Sequence, residues 1–307
     1  MIDEKTVAAL KIRAKVLQAA RFWLDQNGYF EVQGPTLIPA VGEWPGHFEV
    51  KYFDKKAYLT QGLQPYADAF VASLERIYTV APCFRREKTK TNRHLAEYWR
   101  IEMAQQSDFD KLIETQEKLL THVCRSLAAE AKDELKYLGR ATEDLLRVKP
   151  PFNTLTYAKA VEILQSDGEE ILWGQEITWD LEKKLSLRFD QPFLITEFPI
   201  GIQTLFYKSH PTELGSTMTA DLLAPEGYGE IGSGGQLEDK KSVLRKKMAE
   251  QKIEARGRRW YMSLKQPEIA PYSGFMIGLE RLIQWICKFK FISEASAFPR
   301  LTDRIYP

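Results

Sequence analysis

Apolar residues recur at helical spacing at Leu10, Ala14, Leu17 and Leu24, and Asn27-Gly28 follows as a C-terminal stop. This pattern predicts an amphipathic helix over 6–27. Tyr29-Phe30-Glu31-Val32 then alternates like a strand and ends near Pro35. Two short strands are expected over 47–60, around the polar turn Asp54-Lys55-Lys56. A helix is expected over 63–75 and a strand over 76–83. A polar loop, Arg86 to Asn92, leads into a strand through Tyr98-Trp99-Arg100-Ile101-Glu102. Residues 110–131 form a long helix, and 132–190 read as short helices. Strands return at Phe193-Leu194-Ile195, Leu205-Phe206-Tyr207, Thr217 to Ala224 and Gly229 to Gly232. A charged helix follows over 238–251. The last elements are a strand, Gly274-Phe275-Met276-Ile277, and a helix starting near Gly278.

Strands joined by loops, with helices clustered at both ends, predict an α+β fold with an antiparallel sheet. A Rossmann fold is disfavoured, because no β-α-β alternation carries a glycine fingerprint. No repeat or Pro/Gly-rich linker divides the chain, so 1–307 reads as a single domain. Its 307 residues are 44% hydrophobic, enough to bury a core. The net charge is +1, so nothing in the charge balance demands a nucleic-acid partner. Cys83, Cys124 and Cys287 are odd in number and far apart, which fits neither a disulfide framework nor a zinc site. The N-terminus lacks a signal-peptide core, and no apolar run has the length of a membrane span. A cytoplasmic location without membrane association is the expectation.

Three clusters carry chemistry. The first is Cys83-Phe84-Arg85-Arg86-Glu87, a loop, and Arg93-His94-Leu95-Ala96-Glu97-Tyr98-Trp99-Arg100-Ile101-Glu102. A strand, a basic loop and a returning strand put Arg85, Arg93 and His94 on one hairpin. Arginine forks match phosphate oxygens and keep their charge. Glu87 is a candidate acceptor for an exocyclic amine, and Tyr98 a flat face for a base. The second cluster is Asp221 with Gly229-Glu230-Ile231-Gly232-Ser233-Gly234-Gly235-Gln236. Two carboxylates on adjacent strands and a hydroxyl form a hard oxygen set suited to Mg²⁺ with phosphates. The third is Gly278-Leu279-Glu280-Arg281-Leu282, where an arginine on a first helical turn can reach a terminal phosphate. Taken singly, each also reads as a surface hairpin, a glycine turn or a helix-surface pair.

Together, in this order and spacing, the clusters resemble the class II aminoacyl-tRNA synthetases, closely the aspartyl/asparaginyl branch. Gly28-Tyr29-Phe30-Glu31-Val32 through Pro35 looks like the first motif of that family, which forms a dimer interface. Phe84 to Glu87 with Arg93 to Trp99 looks like the second motif, and Gly278-Leu279-Glu280-Arg281 like the third. Phe298-Pro299-Arg300 closes the chain in the family manner. The resemblance covers nearly the whole chain. It implies a class II synthetase-type sheet, ATP and Mg²⁺ as cofactors, and a homodimer. Only about 27 residues precede the first motif, too few for the anticodon-reading OB-fold of this branch, so a bare catalytic domain is expected.

The resemblance also implies roles. Arg85 holds the α-phosphate, Glu87 the adenine amine, and Tyr98 stacks on the base. Arg93, His94 and Arg281 hold the β- and γ-phosphates, with Gly278 and Glu280 beside them in the third motif. Asp221, Glu230 and Ser233 contact Mg²⁺. Glu43, Gln64 and Glu102 match positions that hold the α-amino group, so an amino-acid substrate is expected. The side-chain pocket, placed around Gly234 and Gly235, departs from the branch. Leu237 stands where the branch has an arginine, Ala67 where aspartyl enzymes have a lysine, and Met276 where a glycine is usual. Burying a carboxylate beside them costs several kcal/mol. The expected reaction is therefore adenylation of a neutral amino acid, then transfer to an acceptor that is not tRNA: a protein, a carrier or a small amine. The alternatives are a truncated asparaginyl-type tRNA ligase, an archaeal-type asparagine synthetase and a non-catalytic regulatory paralogue.

Overall fold

A computed structural model describes residues 2–39, 46–64, 66–87, 91–250, 259–265 and 270–306. The first helix, α1, spans Glu4–Gln26. The Asp3 side chain caps it by accepting from the Thr6 N–H at 2.7 Å. Gly28, at φ +76°, lets the chain leave it. The buried face differs from the predicted stripe. It is Ala8, Ala9, Ile12, Val16, Ala19, Ala20 and Leu24, whereas Leu10 and Leu17 are half-buried and Ala14 is exposed. The alanines carry little hydrophobic signal, yet they let α1 pack closely on α3 (Phe109–Glu130).

Strand β1 (Phe30–Glu31) is followed by β2 (Leu37–Ile38), β3 (Glu49–Tyr52), β4 (Lys55–Leu59), α2 (Ala67–Leu74), β5 (Arg76–Phe84) and β6 (Glu97–Gln105). Strands β2, β4 and β3 form a small sheet of their own, its hairpin turning at Phe53-Asp54 rather than within Asp54-Lys55-Lys56. After α3 come α4 (Lys132–Tyr137), α5 (Thr142–Leu146), β7 (Asn153–Thr156), α6 (Tyr157–Ser166), α7 (Trp179–Ser186), β8 (Phe193–Thr196), β9 (Thr219–Ala224) and β10 (Gly229–Gln236). The chain then forms α8 (Lys241–Glu250), α9 (Arg259–Leu264), β11 (Ser273–Gly278) and α10 (Leu279–Ile286).

The main sheet has eight strands in the order β1-β5-β6-β11-β10-β9-β8-β7. The five pairings from β5 to β8 are antiparallel, as expected, but both edge pairs, β1–β5 and β7–β8, are parallel. Strand β7 lies in the segment read as short helices. Its Asn-Thr-Leu-Thr sequence is too polar to announce a strand. The strand expected at Leu205-Phe206-Tyr207 is instead a turn, with one isolated bridge between Tyr207 and Leu237. Leu205 and Phe206 are apolar because they fill a core, not because they join the sheet.

One face of the sheet is packed. Tyr78, Ile101, Met103, Ala220, Leu222, Phe275 and Ile277 bury against α1, α3 and α10. Residues two apart on a strand share a face, so their neighbours point the other way. Matching registers place Asp221, Ser233, Met276, Glu102 and Thr79 in one row across the opposite face. On one side of that row lie Gly278, Arg100 and Ala81; on the other lie Thr219, Gly235, Gly274, Ala104 and Ile77.

Candidate active site

A cavity of about 360 Å³ opens on that second face. The β5–β6 hairpin brings Arg85, Arg93, His94 and Tyr98 to its wall. Strands β9 and β10 bring Asp221, Glu230, Ser233 and Gly234, and the β11–α10 junction brings Met276, Gly278, Glu280 and Arg281. Glu87 lies just outside, in an adjoining recess with Arg85, Thr91 and His94. It pairs with Arg85 at 2.5 Å. A bulge between Glu230 and Gly232 leaves Ile231 without a partner on β9 and re-aims the strand. Gly234 permits the close approach of β11: a Cβ there would stand 2.3 Å from the Gly274 carbonyl oxygen.

Charge organises the cavity. Burial and the nearby Glu230 and Glu182 push the Asp221 carboxyl well above its ordinary range. Burial also raises Glu230, but Arg281 and Arg93 outweigh it and hold that carboxyl low. Arg281 Nη1 reaches Glu230 Oε2 at 2.6 Å. Two facing carboxylates of this kind favour a further cation between them. No group of three or more His, Cys, Asp or Glu side chains suited to a metal occurs among the described residues. Asp221 and Glu230, with Ser233 opposite Asp221 across the strands, are the hard oxygen donors that would hold an Mg²⁺ ion, which would neutralise charge on bound phosphates. Burial and the charges of Arg281, Arg85 and Arg93 push His94 down to about 4, so it meets a ligand as a neutral imidazole at pH 7.

Several expected residues have other work here. Arg93 is 4% exposed. It ion-pairs with Glu182 of α7, donates to the Glu230 carbonyl oxygen and lies 4.4 Å over the Trp179 ring. Glu280 uses both oxygens, accepting from Arg13 at 2.7 Å and from the Trp99 N–H at 2.9 Å. It therefore braces α10 against α1 and β6. Glu102 and Gln64 are not on the cavity wall. Glu102 accepts from the Leu63 N–H at 2.8 Å, and Gln64 is bonded to Tyr272. Gly62 covers Glu102 so closely that a Cβ there would lie 2.7 Å from its Oε1.

Leu237 and Ala67 are corrected as well. They are 3% and 2% exposed and pack with Val32, Leu63, Leu205 and Phe206 in a second core. The ring of Tyr207 lies over Gly235 and helps to separate this core from the cavity. Glu43 falls outside the described residues. Sequence reasoning missed Arg100, Glu176, Glu182, Gln203, Tyr207 and Thr219, which all line the cavity. Arg100 was within reach, because it shares the β6 face with Tyr98.

The sequence matches the family described as tRNA synthetases class II (D, K and N) over residues 1–302. It is 36% identical over 305 residues to the asparagine–tRNA ligase of Thermococcus gammatolerans, covering 99% of this chain and 71% of that protein. It is 38% identical over 302 residues to the same ligase of Desulforamulus reducens, covering 98% and 70%. The asparaginyl-tRNA synthetase of Pyrococcus horikoshii complexed with asparaginyl-adenylate superposes with a TM-score of 0.96 at 35% identity, covering 99% and 70%. The chain belongs to the class II tRNA synthetases of the D, K and N group, which are ATP- and Mg²⁺-dependent, adenylate-forming ligases. Among the described residues no helix is long and apolar enough to cross a membrane.

Proposed function

We propose that residues 1–307 act as one catalytic unit that adenylates a neutral amino acid and passes it to an acceptor other than tRNA. The observation that carries this reading is the convergence of Arg85, Arg281, Asp221 and Glu230 on one cavity of the adenylate-forming fold. In the reaction a carboxylate oxygen attacks the α-phosphorus of ATP. A carboxyl–phosphate bond forms, and pyrophosphate leaves with the electron pair of the broken P–O bond. No proton moves, so positioning and charge neutralisation dominate. Arg85 takes the α-phosphate, Arg281 and His94 the outer phosphates, and Tyr98 and Glu87 the base. Bound Mg²⁺ supplies charge neutralisation at the phosphates from Asp221, Glu230 and Ser233.

Neutral side chains at the other end of the cavity, Met276, Thr219, Tyr207 and Gln203, support a neutral substrate. The net charge of +1 makes no demand for a polyanionic acceptor, so a protein, carrier or small amine fits the chain. ATP–pyrophosphate exchange across all twenty amino acids tests the activation. A flat panel overturns it, and aspartate as best substrate overturns the pocket. Labelled transfer to tRNA, ammonia and amines tests the acceptor, and efficient tRNA charging overturns that part.

Two further outcomes are expected. Glu230→Gln keeps the side chain's size and removes its charge, so the Mg²⁺ concentration for half-maximal exchange rises about tenfold. An unchanged Mg²⁺ dependence assigns the metal elsewhere. The protein also sediments as a homodimer at micromolar concentration. The outer side of α1 presents Val7, Ala14 and Phe22, and the adjacent β1 presents Phe30, all exposed. A monomer at that concentration contradicts this.

A further inference from the structure

Arg100 is a cation in the cavity with no part in the roles given above. It lies on the open face of β6 between Tyr98 and Glu102, about 6.6 Å from each along the strand. Its sheet neighbours, Gly278 and Ala81, have no side chain long enough to cover it. The side chain is 15% exposed. Nη1 donates to the Gln61 carbonyl oxygen at 2.6 Å and stands 3.8 Å from Glu102, while Cζ lies 5.1 Å from the Tyr98 ring centre. These contacts fix the guanidinium. Nε and Nη2 donate to no partner among the described residues, and Arg100 lines the cavity. A fixed, permanently charged fork with a free edge is a seat for a planar anion.

Order along the sheet indicates which anion. On this face Tyr98 lies at one end of β6, Arg100 follows, and Met276 and Ser233 lie one row further on. Under the adenylation reading, on which this inference rests, the base sits toward Tyr98 and the amino acid toward Met276 and Ser233. Arg100 then stands at the joint, where the carboxylate meets phosphorus.

We propose that Arg100 binds the reacting carboxylate of the amino acid and turns one of its oxygens toward the α-phosphorus. Glu102, buried beneath Gly62, acts on Arg100 as a positioning residue.

The test uses the whole chain, with Arg100→Met and Arg100→Lys variants that are folded by circular dichroism. The probes are the amino acid with the fastest exchange, its carboxamide with the acid capped, and ATP. Asparagine and asparaginamide serve if no amino acid exchanges. Affinities are read by titration calorimetry. The parent should prefer the acid over the carboxamide by about thirtyfold, the scale of a charge-assisted bidentate contact. In Arg100→Met the preference should fall to about threefold or less, with ATP affinity within about threefold of the parent. Arg100→Lys, which keeps the charge and loses the fork, should lose at least about fivefold of the preference. The proposal is overturned if the parent holds acid and carboxamide alike, if the variants keep the parent's preference, or if ATP affinity falls instead. A parent that prefers the acid yet shows no exchange refutes the adenylation reading and leaves the Arg100 contact standing.

Discussion

Arg85→Ala lowers ATP–pyrophosphate exchange by about a hundredfold or more, the usual effect of removing one donor aimed at developing charge. The expectation comes from where Arg85 is fixed. It directly follows β5, and its N–H donates to the Ala96 carbonyl oxygen at 2.9 Å, which ties it to the returning strand. Its side chain is 30% exposed on the cavity wall and pairs with Glu87, itself 28% exposed. A half-buried pair of this kind contributes little to stability, so alanine leaves the fold intact. The loss therefore appears in turnover. It appears in kcat and kcat/KM together, because negative charge at the α-phosphate grows only as the carboxylate attacks. Arg85→Lys recovers part of the rate, since it returns the charge without the planar fork. Exchange by Arg85→Ala within about threefold of the parent places the role elsewhere.

The residues that were legible in the sequence share one property: local chain geometry is enough to bring them together. Arg85, His94 and Tyr98 sit on one hairpin, and Asp221, Glu230 and Ser233 on two adjacent strands. Gly278 and Arg281 flank one strand-to-helix junction. What sequence could not show depended on segments arriving from elsewhere. Glu102 has the right type and strand face for an open acceptor, yet the 61–63 segment covers it and the Leu63 N–H takes one of its oxygens. Arg93 has the right type for a phosphate, yet Glu182, from a segment read only as short helices, closes on it. Leu237 follows the glycine stretch directly. Whether it faces a cavity or a core is decided by Leu205, Phe206 and Tyr207, some thirty residues earlier. The fold follows the same rule. Its antiparallel strands were visible from alternation, while polar β7 gains strand form only by pairing with β8.

Arg140→Ala should be among the most destabilising single substitutions, by about 2–4 kcal/mol, the scale of a buried carbonyl left without its donor together with an unfilled volume. The Arg140 side chain is 1% exposed. It grips Glu226 with two bonds, at 2.9 and 2.8 Å. It also donates to the carbonyl oxygens of Trp285 at 2.6 Å and Ile286 at 3.1 Å. Those two carbonyls end α10 and belong to the set that a helix cannot satisfy internally. Glu226, at φ +64°, sits in the turn joining β9 to β10. One guanidinium thus ties the end of α10, which carries Arg281, to the two strands that carry Asp221 and Glu230. Alanine leaves the buried Ile286 carbonyl without its donor, the Trp285 carbonyl with only the Lys288 N–H at 3.2 Å, and an unfilled volume beside Trp285. Urea unfolding followed by tryptophan fluorescence checks this, with a midpoint lower by about 1 M expected for a chain of this size. Lys118→Ala, which breaks an exposed pair with Glu114 on α3, serves as the control and leaves the midpoint unchanged. Equal midpoints for the two variants would mean that Arg140 does not hold α10 to the strands of the site.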